Sequence, residues 1–174
     1  MLDREELKMK KLLTLVLAAA MLTATGITAF ATDVTQGNTT PSASTDVTMS
    51  VAPSYTVTIP NKVELTEQAD GTYSDQAFVT ATNIRLDSGK AVYVSLNSDF
   101  LLENAEGAAS LAYTVTVGNS VEAIKSGDTI AVFNTDADLT KIQSSNPLDF
   151  SANKPVFAGN YSDTVTFTIR VGNI

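Results

Sequence analysis

The chain of 174 residues contains no cysteine, no histidine and no tryptophan. Without histidine or cysteine, Ser-His-Asp and Cys-His nucleophilic machinery is excluded. Histidine-ligated zinc and thiolate metal sites are excluded with it. No disulfide can brace the fold, so a core must do that work, which a chain of this length can build and one below roughly 70–80 residues rarely can. Without tryptophan, the flattest aromatic platform for a sugar ring is missing. Basic side chains are scarce too, 11 against 19 acidic ones, for a net charge of −8. An acidic surface repels a phosphate backbone and an anionic membrane, so neither nucleic acid nor such a membrane is expected as a partner.

The start of the chain has the layout of a secretory leader. Lys8, Lys10 and Lys11 precede an apolar run at residues 12–22, and the small-residue site Ala29-Phe30-Ala31 follows. The run is short of the ~20 apolar residues that span a bilayer. The acidic opening at Asp3, Glu5 and Glu6 leaves Met1 and Met9 as alternative starts. Cleavage after Ala31 removes four of the 11 basic and three of the 19 acidic side chains, leaving 7 and 16, a net charge of −9. Beyond the leader no stretch is apolar enough to span a membrane. The expected organisation is a signal peptide at 1–31, a flexible Thr/Ser-rich arm at 32–45 and one domain at 46–174.

Within the domain, apolar and polar residues alternate in short runs bounded by turn signals, the period of half-buried strands. Val47, Met49 and Val51 alternate, and residues 55–59 do so up to Pro60-Asn61. A short segment is read at 63–65. Asp70-Gly71 predicts a tight turn. Residues 76–82 read as one strand with Ala77, Val79 and Ala81 on one face, continuing after a bend through 83–86. Residues 91–96 follow, with Val92, Val94 and Leu96 inward. A loop with a short strand at its start is expected over 100–110, then strands at 111–117 and 129–133 and a short edge element at 121–125. Residues 134–154 read as mostly loop, with a helical turn near 139–143, and 155–157 as a brief extension. The last run is the strongest: Val165, Phe167, Ile169 and Val171 on one face predict ~6–12 kcal/mol of gross burial. Helical periodicity is confined to the leader. The expectation is an all-β, antiparallel, immunoglobulin-like β-sandwich of about 8–9 strands.

Residues 52–60 (APSYTVTIP) and 158–169 (AGNYSDTVTFTI) resemble small secreted surface β-sandwich proteins of Firmicutes, similar in style to WxL-type, spore-coat-U and pilin-like domains. The resemblance implies an extracellular or cell-surface place and structural or adhesive work. The chain departs from those families in having no Trp-x-Leu motif, no cysteine and no Leu-Pro-x-Thr-Gly signal.

Several residues are candidates for specific roles. Tyr161 follows the turn at Gly159 and precedes the last strand, the position of a tyrosine corner, and both are read as structural. Asn134, Asp136 and Asp138 place oxygen ligands at alternate positions as calcium loops do, but Leu139 stands where the glycine belongs and Ser145 where the bidentate glutamate belongs. A solvated loop is the simpler reading. The acid pairs Asp136/Asp138 and Glu103/Glu106 have no surrounding motif, so no reaction and no cofactor is expected. Tyr73 and Tyr93 are the candidate platforms for a carbohydrate. Residues 47–51 are expected to pair within their own domain; the alternative is addition to a neighbouring copy's sheet edge. The expected function is thus non-catalytic, structural or adhesive, toward an extracellular protein or polysaccharide. The alternatives are a carbohydrate-binding module and a fibre subunit self-assembling by strand exchange.

Overall fold

A computed structural model describes residues 44–107 and 109–174. The leader with Ala29 and Ala31, and arm residues 32–43, lie outside the described residues. The described chain is all-β, with twelve strands and no helix. They are β1 (Ser54–Thr58), β2 (Thr66–Glu67), β3 (Tyr73–Ala77), β4 (Thr80–Arg85), β5 (Lys90–Asn97), β6 (Leu101–Asn104), β7 (Leu111–Val117), β8 (Thr129–Asn134), β9 (Gln143–Ser144), β10 (Leu148–Ala152), β11 (Tyr161–Ser162) and β12 (Thr166–Asn173). Every pairing is antiparallel.

Two layers make a β-sandwich. One is a six-stranded sheet in the order β11-β6-β7-β10-β3-β2. The other joins β1-β4-β9 to β12-β5-β8. The joint is visible in the hydrogen bonds: the Asn134 N–H of β8 donates to Gln143 Oε1 at 3.2 Å, and Gln143 Nε2 donates back to the Asn134 carbonyl at 2.6 Å. Leu86 N–H donates to Thr135 Oγ1 at 3.0 Å, and β4 lies against β8. This layer therefore runs β1, β4, β9, β8, β5, β12 from edge to edge, with the short β9 joining its two halves.

Alternation explains the core. Val92, Val94 and Leu96 of β5, Val115 of β7 and Leu148 of β10 all point between the layers and are fully buried. Residues 76–82 divide where one strand was expected. β3 ends at Ala77 in the six-stranded sheet and β4 starts at Thr80 in the other. Ala77, Val79 and Ala81 stay buried across the corner, since the apolar period survives a change of sheet. Ser145 holds the corner, its Oγ accepting from Val79 N–H at 3.1 Å and its N–H donating to the Val79 carbonyl at 2.8 Å.

Other expectations need correction. Residues 134–154 are mostly loop as expected, but they also carry a core strand: Leu148, Phe150 and Ala152 alternate inward on β10, which pairs with β7 and β3. At 139–143 there is no helix; Lys141 N–H closes a turn on the Asp138 carbonyl and Gln143 starts β9. No strand forms at 121–125, although Ile124 N–H reaches the Val115 carbonyl at 2.8 Å. The segment read at 63–65 yields β2 just after it, and 155–157 forms no strand. Residues 47–51 form none either, and Val47 and Met49 are 93% and 88% exposed. β12 exists as expected, but Val165, Phe167 and Ile169 are only half-buried and Val171 is 44% exposed.

Candidate functional site

The site that emerges is an edge and not a cleft. β12 is eight residues long and pairs with β5 alone. Its other backbone edge has no strand beside it among the described residues, and its apolar face is half-open. Such an edge is a template for another strand, and natural domains normally blunt it. At the opposite edge of the same layer, β1 is preceded by the alternating residues Val47, Met49 and Val51, which stand out in water. An apolar edge and an apolar alternating segment thus coexist without touching.

Both ends of β12 are fixed. At its start, Asp163 Oδ2 accepts from Tyr113 Oη and from Ser98 Oγ, each at 2.6 Å, and Asp163 Oδ1 accepts from Thr164 N–H at 2.6 Å. Ser98 Oγ lies 3.0 Å from the same phenol and accepts from Phe100 N–H at 2.7 Å. Phe100 has φ +58, a left-handed conformation unfavourable for a bulky side chain. The Ser98 bond and the edge-on Tyr113 ring at 5.6 Å hold it there. Burial, reinforced by the hydrogen bond to the Asp163 carboxylate, pushes the Tyr113 phenol well above its ordinary pKa. At the far end, Lys90 Nζ donates to Asn173 Oδ1 at 2.6 Å, and Tyr93 Oη donates to the Asn173 carbonyl. The Arg170 guanidinium lies 4.5 Å from the centre of the Tyr93 ring. A side chain on Gly172 would strike both, at 2.8 Å from Arg170 Nη1 and 3.2 Å from Tyr93 Cε2. Periodicity gives no sign of either clasp, because both join residues far apart in the chain.

The residues singled out in the sequence fall at separate places. Tyr93 is half-buried and its ring carries Arg170, while Tyr73 packs partly against the core. Neither presents a free flat face. Asp136 and Asp138 spend their oxygens within their own loop. Asp136 Oδ2 pairs with Lys141 Nζ at 2.7 Å and its Oδ1 accepts from Asp138 N–H at 3.1 Å, while Asp138 Oδ1 accepts from Thr140 Oγ1 at 2.7 Å. The Lys141 hydrogen bond holds Asp136 below the usual carboxylate range, and the Thr140 hydroxyl does the same for Asp138. Asn134 is the end of β8, its backbone tied to Gln143. Among the described residues no group of three His, Cys, Asp or Glu is placed to hold a metal ion. Glu103 lies on β6 and Glu106 in the turn after it. Tyr161 Oη donates to the Phe157 carbonyl at 2.9 Å. Gly159, at φ +146, lies against the buried Asn104, whose Nδ2 is 2.6 Å from where a Gly159 side chain would begin.

No protein-family profile matches the chain. No curated protein matches it either. Solved structures do resemble it. One is the CsuC–CsuE chaperone–tip adhesion subunit pre-assembly complex from archaic chaperone-usher Csu pili of Acinetobacter baumannii, at 18% identity and a TM-score of 0.49 over 68% of this chain. Another is the chaperone–tip adhesin complex of CFA/I fimbriae biogenesis, at 18% identity and a TM-score of 0.44 over 66% of this chain. The chain spans 40% of the length of each matched chain. No helix among the described residues is long and apolar enough to cross a membrane.

Proposed function

We propose that the chain is an exported, non-catalytic structural subunit that assembles outside the cytoplasm by strand exchange. Residues 47–51 of one copy add to the free edge of β12 in the next. Main-chain hydrogen bonds complete the sheet, and Val47, Met49 and Val51 cover the half-open apolar face. The observation that carries this reading is the mismatch within one molecule: the apolar row of the edge strand β12, Phe167, Ile169 and Val171, is only partly covered, while an alternating apolar segment stands free.

Geometry makes the donation intermolecular. β12 lies at least four strand spacings from β1, ~19 Å or more across the layer. Two residues, Ala52 and Pro53, separate Val51 from β1, and three Cα steps reach at most ~11 Å. A copy cannot lay its own segment along its own β12. Donor and acceptor occupy opposite edges of one layer, so the contact is head-to-tail and grows an open filament. A catalytic role has no support in the geometry, since the two acid pairs lie in exposed turns or at a strand edge and share no cleft. A polysaccharide role has less support than assembly, because Tyr93 is already covered by Arg170.

The test is electrophoresis of the purified, leader-free protein without boiling. A ladder of resistant oligomers is expected, absent from the Val47→Asp, Met49→Asp, Val51→Asp variant and collapsing on boiling. A monomer alone at millimolar concentration, or a ladder indifferent to the triple change, overturns the reading.

A further inference from the structure

The cations of this acidic chain are not spread evenly. Three lysines, Lys62, Lys141 and Lys154, are in ion pairs with Glu64, Asp136 and Glu67. Of the four described cations outside such pairs, Arg85, Lys90 and Arg170 lie toward one end of the sandwich. The ladders place them there. Arg85 pairs with Ser54 at the start of β1, Lys90 pairs with Asn173, and Arg170 is three residues before Asn173. Ile174 N–H also reaches the Gly89 carbonyl at this end. It is the end from which residues 47–51 emerge: Val51 and Pro53 share a shallow pocket with Arg85, Leu86 and Asp87.

The opposite end of the β5–β12 ladder is at Asn97 and Thr166. Asp99 follows it directly, Glu103 pairs with Ser162 just before β12, and Glu106 lies in the next turn. Among the described residues Lys125 is the one cation there outside an ion pair, its N–H donating to Asp128 Oδ2. At the arm end Asp46, Asp87 and Asp138 accompany the three cations, which leaves that end near neutral in a protein of net charge −8 and unlike the acidic end. Two of its three cations are held in place, Lys90 by Asn173 and Arg170 by the Tyr93 ring. A charge already ordered loses less entropy on meeting a partner.

We propose that the face bearing Arg85, Lys90 and Arg170 is a docking surface for the acidic end of a second copy, around Asp99, Glu103 and Glu106. This rests on the strand-exchange reading for the identity of the partner and names the contact that orients it. A head-to-tail approach brings unlike ends together, and complementary fields of this kind set encounter rate and register more than final affinity. Two acidic ends, by contrast, repel.

The experiment uses the leader-free chain and two separate readouts. Sedimentation velocity at low and at 300 mM salt reads reversible contact; the unboiled ladder reads strand exchange. Self-association should be ~10-fold stronger at low salt, where screening is weak. It should be lost in Lys90→Glu, Arg170→Glu and regained when that variant is mixed with Glu103→Lys, Glu106→Lys. A neutral variant of the arm, Val47→Ser, Met49→Ser, Val51→Ser, adds no charge beside Arg85 and should keep the salt-sensitive contact while losing the ladder, so either proposal can fail alone. Association that is absent at low salt, indifferent to salt or unchanged by the charge reversal overturns the docking surface. So does failure of the mixture to restore it when each variant melts like the parent.

Discussion

β10 and β12 are antiparallel strands of one sandwich with opposite surroundings. β10 has β7 on one side and β3 on the other, and Leu148, Phe150 and Ala152 are all buried. β12 has β5 on one side only, and its longer apolar row is half-open. A strand in the middle of a sheet stabilises its own domain. A strand at an edge with a partly covered face holds part of its burial energy in reserve for whatever arrives. The difference separates residues that keep this domain folded from residues that let it assemble.

The sharpest test compares two phenylalanines. Phe150→Ala in β10 should destabilise the domain by ~3–5 kcal/mol, the usual cost of deleting a buried aromatic. Phe167→Ala in β12 should cost the monomer less, ~1–3 kcal/mol, because Phe167 is only partly buried against the core. Urea unfolding of both, with the arm changed to Asp so that only monomer is present, reads the difference. Equal losses would mean that the β12 face is already covered, and the comparison would fail.

Next in size is the clasp that anchors the start of β12. Asp163→Ala leaves the buried Tyr113 hydroxyl and Ser98 without their shared acceptor, and should cost ~1.5–3 kcal/mol, typical for bonds to a charged group. Tyr113 also predicts a pH dependence. Its phenol pKa is raised in the folded protein, by burial first and by Asp163 second. The unfolded chain therefore releases this proton first, and the folded chain binds more protons at alkaline pH. The contribution of Tyr113 to stability is complete below the ordinary tyrosine value of ~10 and is lost progressively above it. Tyr113→Phe should remove that part of the alkaline slope; an unchanged slope would show that the phenol is free in solution.

Much of this fold was legible in the sequence because period-two alternation reports burial directly. Val92, Val94 and Leu96 lie inward as their spacing predicts, and the turn at Asp70-Gly71 falls where expected. Three features were not legible. β10 is only five residues, with Asp149 and Ser151 set between its three apolar ones, and Pro147 and the surrounding Asn and Ser residues look like loop. Residues 76–82 keep one apolar face while changing sheets, because alternation records a face and not a neighbour. β12 looked like the securest strand because four apolar residues say that a face is oily, not that anything covers it. The candidate edge was half-legible for the same reason: the sequence showed an alternating segment at 47–51, and only topology shows that it and β12 lie on opposite edges.

A smaller effect should come from Gly159, where the chain turns into β11. An alanine there would meet Asn104 Nδ2 at 2.6 Å while holding φ at +146, and such strain costs on the order of 1–3 kcal/mol. Gly159→Ala with Asn104→Ala should recover part of the loss, since the clash is removed and the backbone strain remains. A thermal melt of the single and double variants separates the two contributions. If the double change recovers nothing, the close approach to Asn104 is not what requires glycine at this position.

The smallest effect is expected at the loop of Asn134, Asp136 and Asp138. A calcium ion would have to displace Lys141 from Asp136 and the Thr140 hydroxyl from Asp138, because those groups already satisfy the oxygens. Both carboxylates lie at the surface, where such pairs are well screened and hold little free energy. Millimolar calcium should therefore leave the melting midpoint within about 1 °C of its value in chelator, since larger shifts need a ligand that prefers the folded state strongly. Lys141→Ala, which frees Asp136, is the stricter version. A calcium-dependent rise of several degrees in the parent chain, abolished by Asp136→Asn, would show that the loop rearranges around an ion. The arm end of the sandwich would then carry a bound cation beside Arg85 and Lys90, and its charge contrast with the acidic end would be larger than the side chains alone provide.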